Sequence, residues 1–430
     1  MSAIKQKKLR EVNFNSNASY NFIKNSKNSI VIKSGSKINL YLNVSKELRP
    51  DGYHEIKSIM QSISLSDILE FSVLPKFEAE KNYKNLNDNI NNNNICSING
   101  YMHVNMHGNI IDNNNTKIND YMNGNINGNV NGEIVSKTNG KIDGKISGNT
   151  DYDRDGNLEG NVNCNSINGI YITCKNICSN DEIPLNEKNL VHKAALLVLK
   201  KFDLDKKFKV NIKITKSIPV SSGLAGGSSN AAATLIALNK LFNLALSIDE
   251  LEIMGNEVGS DVPFCISGGA ALVEGKGEKI TKLPDMPFYW VVIAVNGKKF
   301  SSGHVYERFD TVGKGIVFGQ ESLGNKSINK SKHEALLTSF LKRRFKDFFS
   351  NIFNDLEDVV ATEDNMVRVL IEKALSLGAS AAQMTGSGPA IFAICEDLIT
   401  AKRVFNGLGK ISNKVFLAYT TNQCQEVLKK

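Results

Sequence analysis

The sequence has 430 residues, 41% of them hydrophobic and 22% charged, with a formal net charge of +8; that length suits two globular domains rather than one. It contains no run of 18 or more apolar residues, which excludes a transmembrane helix. The basic runs KQKK (Lys5–Lys8) and KRRFK (Lys342–Lys346) lack interleaved aromatics and a nucleic-acid module, so they read as solvated faces, and the positive balance is equally compatible with an anionic small-molecule substrate.

In chain order, residues 1–33 are basic, carry Ser and Asn, and hold Glu11 as their one acidic residue, as in a transit-type leader. SKINLYLNVSKE places Ile38, Leu40 and Leu42 at period two, a strand pattern. RPDGYHEI (Arg49–Ile56) carries a Pro-Asp-Gly turn signal, and Ile63–Leu74 reads as one or two strands. From 82 to 169 the text becomes Asn- and Gly-rich (NDNINNNN, YMNGNINGNVNGE). No 20–50-residue repeat period appears there, so a solenoid is not supported. Such a segment buries too little apolar surface to offset its ordering entropy and is expected to be a disordered insertion within a domain. The seven cysteines are odd in number and scattered, which argues for thiols rather than a disulfide framework. Cys174/Cys178 and His103/His107 have metal-like spacings but lie in or beside this low-complexity text, and neither pair is read as a zinc site.

After the insertion, NLVHKAALLVLKKF (Asn189–Phe202) has helical spacing and VNIKITKSI returns to strand alternation. Helices are predicted over Ser229–Phe242 and Ile248–Val258, then a turn at GSDVPF and a strand–loop–strand over GGAALVEGKGEKITKL. A second domain starts near Pro284 with the strand FYWVVIAV (Phe288–Val295). Residues 313–332 are polar and expected to be mobile. Two helical segments follow, with Val367, Leu370, Ile371 and Leu375 on one face of a helix over Met366–Leu377. AQMTGSGPAIFAICED is a glycine loop leading into a strand over Ala390–Cys395. Mixed, non-alternating elements predict an α+β fold of two domains, 34–283 and 284–430.

PVSSGLAGGSS (Pro219–Ser229) stands between a strand and a helix. It lacks the lysine of a P-loop and is not the dinucleotide fingerprint. It still has the parts of an anion site: glycines that let backbone N–H groups approach oxygens, serine hydroxyls, and a following helix N-terminus. A phosphate cradle and a structural turn are the two readings.

Three segments, Lys37–Leu42, Pro219–Ser229 and Thr385–Ile391, follow the order of the three motifs of the GHMP kinases, and the chain resembles that family. The central loop is similar to the family's P-x-x-x-G-L-[GA]-[GS]-[GS]-[SA] loop, and TGSGPAIF to its third motif. SKINLYLNVSKELRPDGYHEI, EKNLVHKAA, LAGGSSNAAATLIALNKL, GSDVPFCISGGAALVEGKGE and NDLEDVV (Asn354–Val360) resemble the branch acting on 4-diphosphocytidyl-2-C-methyl-D-erythritol in the methylerythritol phosphate route to isoprenoids. The resemblance implies the two-domain GHMP fold with the active site in the interdomain cleft, and phosphorylation of that compound's 2-hydroxyl by ATP with Mg2+.

By position, Asp261 would be the catalytic carboxylate and Lys37 its partner, since an alcohol needs a carboxylate in hydrogen-bond reach to accept its proton. ATP would meet Pro219, Val220, Ser221, Ser222, Gly223, Leu224, Ala225, Gly226, Gly227, Ser228, Ser229 and Asn189. The loop of Thr385, Gly386, Ser387 and Gly388 would pack against that cradle. Tyr53 and His54 would hold a cytosine by stacking and base-edge hydrogen bonds, with Tyr306 as the opposing aromatic, and Asn39 would lie near the substrate. No dedicated metal carboxylates are visible; Mg2+ is expected on ATP phosphates and water, with Ser229 and Asp261 as protein contacts. Ser221 and Ser222 stand where many relatives carry glycine or alanine, Ala225 stands in place of a glycine, and Pro389 is a mild variation. The implied partners are a small molecule, no nucleic acid and no membrane, in a monomer or homodimer. The implied location is a plastid-type organelle, or the cytoplasm if the basic N-terminus is not a leader. A different GHMP kinase, such as a mevalonate-pathway or homoserine kinase, and a non-catalytic sensor on the same fold are the competing readings.

Overall fold

The computed structural model describes residues 29–76, 130–138, 141–150, 163–179, 181–295, 298–312 and 326–429. The strands are β1 (Ser29–Leu48), β2 (His54–Pro75), β3 (Val130–Thr138), β4 (Lys141–Thr150), β5 (Asn163–Ile167), β6 (Ile170–Asn176), β7 (Phe208–Lys216), β8 (Ala270–Gly275), β9 (Lys279–Lys282), β10 (Trp290–Val295), β11 (Ala381–Met384), β12 (Ile391–Cys395), β13 (Lys414–Tyr419) and β14 (Gln425–Lys429). The helices are α1 (Leu190–Lys201), α2 (Gly226–Leu241), α3 (Ile248–Val258), α4 (Val262–Ser267), α5 (Ser302–Val312), α6 (Lys326–Leu341), α7 (Phe345–Phe349), α8 (Glu357–Glu363), α9 (Met366–Ser376) and α10 (Leu398–Leu408).

One sheet runs β14-β1-β2-β7-β6-β5, with β8 and β9 continuing from β2; a second runs β11-β12-β10-β13. The length of β2 explains the branching. Its first part, Ile56–Gln61, pairs with β8 and its second, Ile68–Pro75, with β7. The alternating residues Leu69, Phe71 and Val73 of β2 and Val210, Ile212 and Ile214 of β7 bury one face, against which α1, α2 and α3 pack their apolar stripes. A second core joins the two sheets: Ile38 and Leu40 of β1 and Ile59 of β2 meet Ile293 of β10, Phe340 of α6, Phe348 of α7 and Phe392 of β12. Each such fully buried side chain contributes about 1.5–3 kcal/mol, so the sheets are held as one packed unit. A third core lies between β10 and β12 and α9 and α10.

Several sequence expectations change. Strand β1 begins at Ser29 with Ile30 and Ile32 buried, so the predicted leader overlaps a core strand; residues 1–28 lie outside the described residues. Inside the segment 82–169, expected to be disordered, β3 pairs with β4, and β5 pairs with β6, which begins just past it. Local turn chemistry overrides composition here. Asn168 and Gly169 join β5 to β6 with φ of 56° and 78°, the paired positive values of a two-residue hairpin turn. The sequence between β3 and β4 likewise reads Asn-Gly. The rest of that segment, with His103 and His107, lies outside the described residues. Of the stretch 313–332, residues from Lys326 onward belong to α6, and 313–325 lie outside.

GSDVPF is not a simple turn, since Val262 opens the short helix α4. Helix α2 starts three residues before the predicted Ser229. On α9 the buried stripe is Val367, Leu370 and Ala374, with Leu375 exposed. Finally, β14 pairs with β1, so the last strand of the chain returns to the first sheet and a cut at 284 does not separate the two sheets.

Candidate active site

Strand β1 carries the centre of the site. Its pairing with β2 shifts register between Asn39 and Tyr41, a bulge of the kind that re-aims side chains. The Lys37 backbone N–H donates to Leu224 O at 3.2 Å, and the Asn39 N–H donates to Thr385 Oγ1 at 3.0 Å. This one strand therefore fixes both glycine loops. Lys37 Nζ donates to Asn39 Oδ1 at 2.7 Å and stands 3.7 Å from Asp261 Oδ2. Asn39 Nδ2 in turn donates to Ser58 Oγ at 2.9 Å, and that hydroxyl donates to Tyr41 O at 2.6 Å. Lys37 is buried, whereas the Asp261 side chain is 32% exposed. Asp261 occupies the N-cap position of α4 yet its carboxylate caps nothing. It is held beside an ammonium and left open to a ligand.

The loop before α2 turns by alternating backbone hand: Ser221, Gly223 and Ala225 have φ of 52°, 81° and 56°. Ala225 caps α2 without a side-chain hydrogen bond. The first-turn N–H groups of Gly226, Gly227 and Ser228 have no partner within the helix, and they sit at the positive end of its dipole. Ser221 and Gly227 are exposed and Val220, Gly223, Ala225 and Ser228 half-buried, while Pro219, Ser222, Leu224, Gly226 and Ser229 are buried. The open members form an anion cradle.

The third-motif loop docks against this cradle at backbone distance. A Cβ on Gly223 would lie 2.1 Å from Thr385 O, and one on Gly386 would lie 3.0 Å from Gly223 O and 3.3 Å from Lys37 Nζ. Ala390 N–H donates to Ser222 O at 3.2 Å. Asn354 Nδ2 donates to Met384 O and Gly386 O, both at 2.9 Å, and holds the loop from behind. Ser387 Oγ bonds Ser302 Oγ at 2.9 Å, tying the loop to the start of α5.

Beneath the cradle lies a buried network that the sequence reading missed. Lys216 Nζ donates to Asp67 Oδ2 at 2.6 Å and to Ile218 O at 2.7 Å. Ser217 N–H and Ile218 N–H donate to Asp67 Oδ1 at 2.7 and 2.8 Å, and Asn230 Nδ2 donates to Oδ2 at 2.9 Å. Asp67 thus grips both the entry to the loop and the first turns of α2. The signal was present: Asp67 falls in the inward phase of Asp67, Leu69, Phe71, Val73, and Lys216 in that of Val210, Ile212, Ile214, Lys216. Opposite charges in the inward phase of two strands mark a buried pair.

Two expected site residues are placed differently. Ser229 is fully buried, with its hydroxyl bonded to Ser34 Oγ at 2.7 Å and to Gly35 O, and accepting from Gln425 Nε2 at 2.8 Å. It is a packing residue between α2, β1 and β14 and does not face a metal. Asn189 caps α1, accepting from Val191 N–H at 2.9 Å and donating to Pro184 O at 2.6 Å.

At the other end of the cleft, Arg49 bonds Asp51 and Glu278, and Gly52 turns with φ of 81°. This turn leaves Tyr53 55% exposed, with Lys276 Nζ 4.9 Å above its ring. His54 is buried, and both its ring nitrogens are engaged: Nδ1 with Ser45 O at 2.7 Å and Nε2 with Asp310 Oδ1 at 3.2 Å. The Tyr306 ring stacks on it with centroids 5.6 Å apart. Tyr306 therefore covers His54 rather than facing it across a gap, and the imidazole edge expected to meet a base already has partners. Burial, and after it the Asp261 carboxylate, push the Tyr306 phenol above its usual range.

Comparison with known proteins agrees with this geometry. Residues 189–269 match the GHMP kinases N terminal domain and residues 336–413 the GHMP kinases C terminal region. The chain is 39% identical over 235 residues to a 4-diphosphocytidyl-2-C-methyl-D-erythritol kinase of Listeria monocytogenes, spanning 55% of this chain and 75% of that protein. A protein of the same name from Listeria innocua is 38% identical over the same shares. The fold is similar to a crystal structure of 4-(cytidine 5'-diphospho)-2C-methyl-D-erythritol kinase, with TM-score 0.54, 20% identity, and 91% of this chain and 99% of that one covered. Homoserine kinase from Cytophaga hutchinsonii shares the fold at TM-score 0.57 and 15% identity, with 94% and 98% covered. With both glycine loops, the Lys37–Asp261 pair and these relatives in agreement, the chain belongs to the GHMP kinases, within the 4-diphosphocytidyl-2-C-methyl-D-erythritol kinase family.

Proposed function

We propose that the protein transfers the γ-phosphoryl group of ATP to the 2-hydroxyl of 4-diphosphocytidyl-2-C-methyl-D-erythritol. The observation that carries the chemistry is the open Asp261 carboxylate 3.7 Å from the buried Lys37 ammonium, between the α2 cradle and the third-motif loop. An alcohol hydrogen-bonded to Asp261 gives up its proton there as its oxygen attacks the phosphorus. Lys37, fixed by Asn39, supplies positive charge where the attacking oxygen and the transferring phosphoryl group are most negative. The N–H groups of Gly227 and Ser228 bind the phosphates and keep the donor in line. Mg2+ would be held by the ATP phosphates and would supply positive charge there; of the two side chains expected near it, Asp261 is open to the cleft and Ser229 is not.

The names of the relatives support the identity of the acceptor, and the exposed Tyr53 ring, next in sequence to the buried His54, supports a flat base at the far end of the cleft. The test is ADP release from ATP with Mg2+ and three acceptors: the cytidylyl methylerythritol, mevalonate and homoserine. Turnover is expected with the first alone; comparable turnover of either other alcohol overturns the assignment. The basic, acid-poor N-terminus supports import into a plastid-type organelle. A reporter fused to residues 1–33 that stays in the cytoplasm would contradict that part.

A further inference from the structure

Helix α5 belongs to the second sheet's side of the molecule, where Val305 packs into the core with Ile391 and Val360, and His304 and Arg308 meet Glu363 of α8. It shares a core with Leu42, Val44 and Ile56 of β1 and β2, and three of its side chains also meet one ring there. Tyr306, Phe309 and Asp310, at i, i+3 and i+4, share a helical face. Tyr306 stacks on His54 at 5.6 Å and 20°, Phe309 meets the same ring edge-on at 5.8 Å and 88°, and Asp310 Oδ1 lies 3.2 Å from its Nε2. The imidazole cannot rotate to follow a moving helix without losing Ser45 O, which accepts from Nδ1 at 2.7 Å and belongs to β1. Three side chains of one domain thus grip a ring fixed in the other.

We propose that the His54–Asp310 pair is a latch that closes α5 across the acceptor end of the cleft and so positions Tyr306, making Asp310 a positioning residue for acceptor binding. The latch rests on the proposed function only for the acceptor's identity; the contact itself does not depend on it. The Asp310 side chain is 37% exposed, so its replacement perturbs the pair without emptying a core. Geometry also separates the latch from the general stability of α5, because Arg308 and His304 are held by Glu363 on the other side.

The experiment compares Asp310→Ala, Asp310→Glu and Glu363→Gln with the wild type. Amide hydrogen exchange over 302–312 is read in the free protein, and KM for acceptor and for ATP, with kcat, in turnover. Asp310→Ala, which leaves Nε2 without a side-chain partner on α5, is expected to speed α5 exchange about tenfold and raise the acceptor KM about tenfold, with the ATP KM within about twofold of wild type. Asp310→Glu recovers most of both. Glu363→Gln speeds exchange without moving the acceptor KM. Wild-type exchange and wild-type acceptor KM in Asp310→Ala overturn the latch, as do equal rises in acceptor KM from Asp310→Ala and Glu363→Gln. A wild-type protein that neither binds cytidine diphosphate nor turns over the cytidylyl acceptor sinks the functional reading instead, and the exchange rates alone then decide the latch.

Discussion

Replacing Asp67 with asparagine tests whether the buried pair below the cradle sets the phosphate loop. Asp67 is fully buried and its two oxygens accept from Lys216, Asn230, Ser217 and Ile218 at 2.6–2.9 Å. Asparagine has nearly the same shape but one acceptor oxygen and two N–H donors. Whichever way the amide turns, its NH2 faces either the Lys216 ammonium or the backbone N–H groups of Ser217 and Ile218. With the NH2 toward Lys216, which is 5% exposed, the ammonium keeps only Ile218 O; with it toward the backbone, the Ser217 and Ile218 N–H groups lose their acceptor. Removing one partner of a buried pair costs about 3–5 kcal/mol, which lowers the thermal midpoint by roughly 6–20 °C for a domain of this size. Because Ser217 and Ile218 immediately precede Pro219, the ATP KM is expected to rise more than the acceptor KM. Thermal unfolding and steady-state ADP release read the two effects. The double variant Asp67→Leu, Lys216→Met removes both charges, yet it should stay below wild type. Its Ser217, Ile218 and Asn230 donors lose their acceptor, at about 1–3 kcal/mol each. An Asp67→Asn protein within about 1 kcal/mol of wild type and with an unchanged ATP KM would refute this account.

Gly223→Ala puts a Cβ 2.1 Å from Thr385 O at a φ of 81°, so the two loops must part; phosphoryl transfer should fall at least about a hundredfold, and near-normal kcat would show that their contact is dispensable. Asp261→Asn keeps the shape but not the base, so kcat should drop by about 10²–10⁴ with the ATP KM little changed; full turnover would remove Asp261 from the chemistry. Ala225 sits at φ 56°, where alanine is strained by about 1–2 kcal/mol and glycine loses part of that gain through the unfolded chain. Ala225→Gly should therefore stabilise by about 0.5–1 kcal/mol, and a lower midpoint would mean that the methyl's packing outweighs the strain. Burial pushes the Glu357 carboxyl up from its usual 4.5, against the hydrogen bond from Met384 N–H. Its contribution to stability is thus full below the usual value and lost as pH rises through the raised one. Glu357→Gln should gain thermal stability over wild type at pH 8, and the gain should vanish at acid pH; a gain independent of pH would contradict the burial argument.

The segments of strictest local pattern were legible without coordinates. Alternation in SKINLYLNV and helical spacing in NLVHKAALLVLKK need only short-range physics, and PVSSGLAGGSS announces a turn into a helix by glycine content alone. Resemblance then ordered the motifs and singled out Lys37, Asp261 and the two glycine loops, which the fold brings together. Composition misled where it outvoted turn chemistry: Asn168-Gly169 makes a hairpin inside text that otherwise reads as disorder. Residue type alone also misled at Ser229, a serine at a helix start whose hydroxyl is turned inward to Gly35 and Gln425.

Period two and residue identity are properties of a few neighbouring positions, so strands, helices and the cradle follow from the chain itself. The 3.7 Å between Lys37 and Asp261, the Asp67–Lys216 pair and the convergence of Tyr306, Phe309 and Asp310 on His54 join residues 149 to 256 positions apart. Contacts at such separations exist only because one long strand, β2, pairs with β1, β7 and β8 at once and a shared core locks the second sheet against them.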